Sequence, residues 1–76
     1  MTLPNMTPVV SSNLHSVGHD GEKLYVRFKG AGGAPGRVYR YAAGAEHHDA
    51  LLKADSPGRH FNATIKNHFI GEPVAS

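Results

Sequence analysis

Lys23-Leu24-Tyr25-Val26-Arg27-Phe28-Lys29 is the stretch on which the reading of the whole chain turns. Leu24, Val26 and Phe28 alternate with Tyr25, Arg27 and Lys29, the two-residue period of a strand with one apolar face. Working outward, Asp20-Gly21 just before it is a turn dipeptide suited to positive φ angles, so residues 9–19 read as a preceding antiparallel strand. In that strand Leu14 and Val17 lie three apart, which flat alternation cannot place on one face, and a bulge or twist is expected there. Downstream, Gly30-Ala31-Gly32-Gly33-Ala34-Pro35-Gly36 reads as a flexible connection. It leads into a β-prone run over residues 37–42 that contains Val38, Tyr39 and Tyr41.

From Ala45 onward Ala, Glu, Leu and Lys replace the β-branched residues, and the composition predicts a short helix over 45–54. Ser56 is placed as an N-cap with Pro57 at the first helical position, opening a second helix that runs to about residue 68. Phe61, Ile65 and Phe69 recur at spacing four along it, a stripe to face the sheet. The expected fold class is α+β, a three-stranded antiparallel β-meander followed by two helices packed on one face. With 76 residues the chain buries only about 60% of its unfolded surface, enough for one core. A single domain is therefore expected over residues 9–70, with flexible tails at 1–8 and 71–76.

The absence of cysteine removes disulfides, thiolate nucleophiles and thiolate-bound metals. Eight Lys and Arg against six Asp and Glu give a net charge of +2, compatible with nucleic acid but too mild to demonstrate it. No apolar run approaches the roughly 18 residues of a transmembrane helix, and Met1 to Pro8 lacks the pattern of a signal peptide. Cytoplasmic residence without membrane contact is the expectation.

Five blocks in order resemble one family: Val10-Ser11-Ser12, Val17-Gly18, Leu24 to Phe28, Tyr39-Arg40-Tyr41, and Ala54-Asp55-Ser56-Pro57-Gly58-Arg59-His60-Phe61-Asn62-Ala63-Thr64-Ile65-Lys66. Together they resemble the KTSC domain, named for a segment at the carboxyl end of some lysyl-tRNA synthetases and found also as free-standing small bacterial and phage proteins. The resemblance spans residues 9–69 and implies a binding role, RNA being the usual suggestion for a family whose molecular function is not established. His19 departs from a frequent Tyr, and Ala43-Gly44 replaces a Val-Pro that commonly opens the first helix.

The glycine-rich run lacks the Lys-Ser/Thr and following helix of a phosphate cradle. Gly33-Ala34-Pro35-Gly36 spells a KH clamp without the two helices that clamp requires. His15 and His19 stand about 13 Å apart along a strand, too far to share an ion, and no helical histidine has a histidine four residues away. A metal site would have to be assembled from different elements, such as His19 with His48 and Asp49, against surface histidine as the more frequent meaning. No serine sits in a nucleophile elbow, the acids are scattered, and the chain is read as a non-enzyme with no cofactor and no metal.

Tyr39 and Tyr41 pose the main choice. Facing away from the helices they would form a stacking platform but turn Arg40 into the core; facing inward they supply buried area and free Arg40. The inward register is favoured, making Tyr39, Tyr41, Phe61 and Ile65 structural. It leaves Tyr25, Arg27, Lys29 and Arg40 on an outer sheet face as nucleic-acid-binding candidates, together with Arg59 and Lys66 on the second helix. The expected function is a non-catalytic module binding RNA or another polyanion, as a monomer or weak homodimer. The alternative is a protein-interaction module, a phage or accessory protein acting on a host factor through a strand edge or the helix stripe.

Overall fold

The computed structural model describes residues 3–74. Strands β1 (Thr7–Pro8), β2 (Leu14–His19), β3 (Leu24–Lys29), β4 (Pro35–Tyr41) and β5 (Glu72–Val74) form one antiparallel sheet in chain order. Helices α1 (Ala45–Lys53) and α2 (Pro57–Phe61) follow β4, and α2 runs on into a π-helical turn over Asn62–Lys66. The α+β class is as read, but the sheet has five strands rather than three. Both additions come from segments read as tails. Of the single strand expected over 9–19 only Leu14–His19 is strand; residues 9–13 connect it to β1 as a hairpin, where the Ser11 hydroxyl accepts the backbone N–H groups of Asn13 (3.3 Å) and Leu14 (3.2 Å) and bends the chain. At the other end, Gly71 lies against the Tyr41 ring and Glu72 approaches Arg40 at 3.7 Å, docking β5 on β4.

The β2–β3 register shifts between Leu14 and Ser16. This bulge at His15 puts both Leu14 and Val17 on the core face, where they are fully buried. With Leu24, Val26, Tyr41, Ala43, Leu51, Phe61 and Ile65 they form the core between sheet and helices. Phe61 is its centre, meeting the rings of Phe28 and Tyr41 edge-on at centroid distances of 5.5 and 5.4 Å. Tyr39 packs beside them, edge-on to Phe28 at 5.7 Å, so both tyrosines of the Tyr-x-Tyr strand face the helices. Burial, and then the neighbouring Tyr39, raises the Tyr41 phenol above its ordinary value.

The second helix begins at Pro57 as the sequence predicts, but Ser56 makes no side-chain capping bond. The N-cap side chain would have to reach the N–H of Gly58 or Arg59, and at Gly58 the chain lies against the β1–β2 loop: a β-carbon there would stand 2.3 Å from Asn13 Oδ1 and 2.9 Å from Ser11 Oγ. The helix also does not continue regularly to residue 68. Phe61 and Ile65 are both buried, and between them Thr64 Oγ1 donates to the His60 carbonyl at 2.7 Å within the widened turn.

Proline closes both sheet edges. The Val9 N–H donates inward to the His15 carbonyl, so backbone alternation turns the nitrogen of Pro8 outward, where it offers no donor. On the opposite edge Pro73 pairs with Tyr39.

The β2–β3 turn carries a pH dependence. Asp20 accepts the backbone N–H of Lys23 (2.7 Å) and of Glu22 (2.9 Å) and the Tyr25 hydroxyl (3.1 Å). The Lys23 and then the Glu22 bond, outweighing desolvation, hold its carboxyl below the ordinary range. A depressed folded pKa contributes stability that is fully present above the unfolded value of about 4 and is lost as pH falls through the folded value. Denaturant titrations at stepped pH are expected to show wild-type stability dropping below about pH 4, with a shallower drop in Asp20→Asn. Equal slopes in the two proteins would contradict this.

Candidate nucleic-acid interface

The sheet face opposite the helices does not present the accessible aromatic ring amid cations that the sequence suggests. Tyr25 does point to that face, but its ring is only 2% exposed. The N-terminal segment accounts for part of the cover, since Asn5 and Met6 lie against Gly18, the cross-strand partner of Tyr25. The Tyr25 hydroxyl is held between Asp20 and Arg40. A buried ring with an engaged hydroxyl cannot stack on a base, which corrects the expectation of an aromatic amid free cations.

The three cations of that face are also engaged. Arg27 Nη1 donates to the Gly36 carbonyl at 3.0 Å, and Lys29 Nζ donates to the Ser11 carbonyl. Arg40 lies against Tyr25 and Glu72, which hold its guanidinium above its ordinary value, the tyrosine contact first. Glu72 also approaches Lys23 at 3.8 Å. Alternation in the sequence tells which residues share a face, but these partners come from turns and from the two edge segments.

The helix stripe differs. Arg59, Asn62 and Lys66 are all exposed, and neither Arg59 nor Lys66 makes a hydrogen bond or ion pair among the described residues. Phe61 and Ile65, buried on the inner side of the same segment, aim this stripe outward.

Beside the stripe is a cleft of about 330 Å³ lined by His47, Ala63, Thr64, His68 and Phe69. The His47 and Phe69 rings meet edge-on at 5.3 Å, joining α1 to the chain beyond the π turn. Sequence reading placed Phe69 in the sheet-facing stripe and gave His47, Ala63, Thr64 and His68 no binding role, and no local pattern links His47 to Phe69. A larger groove, about 450 Å³, lies between the β1 edge and the α1–α2 junction; Val9, Val10, Leu52 and Pro57 are among its lining, and Val10 is 94% exposed.

The grouping of His19, His48 and Asp49 does not assemble as a metal site. The His19 and His48 rings are 6.3 Å apart, but both His19 nitrogens are in use: Nε2 donates to the Ala43 carbonyl at 2.8 Å and Nδ1 accepts the Gly21 N–H at 3.0 Å. Among the described residues no three His, Asp or Glu side chains converge as ligands would. The glycine-rich run contains a short 3₁₀ turn over Ala31–Gly33 and leads into a strand, so no helix end faces it. No helix among the described residues is long and apolar enough to cross a membrane.

A five-stranded antiparallel meander with a helical layer on one face defines a small α+β module. The KTSC domain model matches residues 10–69, and the chain belongs to this family. It is 46% identical over 57 residues to an uncharacterised protein of Stutzerimonas stutzeri strain A1501, covering 74% of this chain and 76% of that one. The crystal structure of a KTSC domain protein from Yersinia pestis superposes with a TM-score of 0.77 at 28% identity, covering 93% of this chain and 97% of that one.

Proposed function

We propose that this chain is a non-catalytic module that binds RNA through the exposed stripe of Arg59, Asn62 and Lys66. The observation that carries this reading is that the outer-face cations Arg27, Lys29 and Arg40 are tied to carbonyls, a phenol and a carboxylate, whereas Arg59 and Lys66, like Arg37 and Lys53, are exposed without a partner among the described residues and lie with Asn62 on one helical segment. Phosphate binding at Arg59 and Lys66 breaks no existing contact; at Arg27 or Lys29 it would cost a hydrogen bond within the fold. The +2 net charge assists weakly.

The test is an amide-resolved titration with single-stranded RNA at about 50 mM salt, repeated at higher salt. Shifts are expected along residues 59–66. Arg59→Ala with Lys66→Ala is expected to weaken binding and to flatten the slope of log affinity against log salt by about 1.4, or about 0.7 for each lost phosphate contact. Arg37→Ala on β4 serves as the single-charge comparison. An unchanged slope in the double variant would remove the stripe from consideration, and no binding at micromolar RNA would sink the reading.

A second reading, a protein partner, is favoured by the groove beside β1 with its exposed Val10. It expects no response to RNA. It also does not rely on strand addition, because Pro8 and Pro73 interrupt the donor rows of both edges.

A further inference from the structure

We infer that the stripe of Arg59, Asn62 and Lys66 grips RNA by its phosphodiester backbone alone, without regard to base or sugar, so that DNA and abasic strands are ligands of the same site. This rests on the RNA reading above and names the part of the polymer that the surface recognises.

Reading the bases of a single strand takes exposed ring faces, and each stacked base is worth about 5- to 100-fold in affinity. The chain has three Tyr, three Phe and no Trp, and all six rings lie within the described residues. Tyr25, Tyr41 and Phe61 are buried. Phe28 meets the rings of Tyr39 and Phe61 edge-on, and Phe61 in turn meets Tyr41, so four rings form one continuous row inside the fold. Phe69 packs against the same core and is edge-on to His47 at 5.3 Å. These faces are spent on holding sheet and helices together, and none of the six belongs to the stripe.

The stripe itself suits anionic oxygen. Arg59 and Lys66 carry donors and no acceptor, whereas base edges present both. Asn62, the one residue of the three with an acceptor, is exposed and makes no side-chain hydrogen bond among the described residues. Its amide is therefore not held in one orientation, as a reader of a base edge or of a 2′-hydroxyl must be. A phosphate oxygen accepts from all three side chains, and every nucleotide supplies one.

The test titrates the full chain at about 50 mM salt with three single strands of about eight nucleotides: a mixed-sequence RNA, a DNA of the same sequence and an abasic phosphodiester strand. The three are expected to bind within about threefold of one another, below the roughly fivefold that one stacked base adds, and to weaken in parallel as salt rises. Arg59→Ala with Lys66→Ala is expected to weaken all three alike, and His68→Ala, at an exposed imidazole outside the stripe, to leave all three unchanged. RNA binding about tenfold or more tighter than the abasic strand, or tighter than DNA by that margin, would reveal a base or 2′-hydroxyl contact and overturn the inference while RNA binding stands. A loss of RNA affinity but not abasic affinity in His68→Ala would do the same. Binding of none of the strands overturns the RNA reading and this inference together.

Discussion

Phe61→Ala is expected to lower the melting temperature by about 12–40 °C. The side chain is 2% exposed and joins the Phe28 and Tyr41 rings edge-on, so the sheet's aromatic row and the second helix meet on it. Truncating a buried phenylalanine costs about 3–5 kcal/mol, and in a domain of this size each kcal/mol moves the midpoint by about 4–8 °C. Against a total stability of roughly 4–11 kcal/mol for 76 residues, the variant stands near the limit of folding. Circular dichroism melts check it directly. A shift under about 5 °C would mean that the neighbouring rings close the space, and Phe61 would lose its place as the centre of the core.

Gly36→Ala is expected to cost about 1–3 kcal/mol, while Gly30→Ala, in the same glycine-rich run, should stay within about 0.5 kcal/mol of wild type. A β-carbon at Gly36 would lie 2.7 Å from the Phe28 carbonyl oxygen and 3.0 Å from the Gly30 nitrogen. Both are backbone atoms of the facing segment and cannot rotate aside. At Gly30 the nearest atom would be 3.5 Å away, an ordinary contact. The close approach at Gly36 coincides with the register shift between β3 and β4, where β4 carries an extra residue. Chemical denaturation of the two variants side by side tests the contrast. Equal losses would show that the run is sensitive as a flexible loop rather than at one crowded point.

The central hairpins and helix positions were legible because their signals are local. Alternation at Leu24, Val26 and Phe28 identifies a strand and its inner face, and the cost of burying Arg40 orients Tyr39 and Tyr41 without any structure. Pro57 marks the start of α2, though the capping bond expected of Ser56 is absent. What escaped depends on contacts between remote residues. β1 and β5 are two and three residues long, each with a proline, and are held by Gly18 against Asn5 and Met6 and by Gly71 and Glu72 against Tyr41 and Arg40. The same remoteness hid the covering of Tyr25. Of the candidate binding residues, Arg59 and Lys66 are exposed because buried neighbours four apart aim them outward, which helical spacing does reveal. The cleft beside them is formed by His47 and Phe69, whose pairing no periodicity encodes.

The order of the strands also governs how this unit can be joined to other polypeptide. β1 and β5 occupy opposite edges of the sheet, separated by four inter-strand spacings, about 19 Å. A circularly permuted version would need a bridge of about six extended residues or more to connect them. Splicing the domain into a host loop with closely spaced ends would peel away one edge strand, whereas stringing copies end to end leaves both in place. In such a string the prolines at the two rims would keep neighbouring beads from fusing into one continuous sheet.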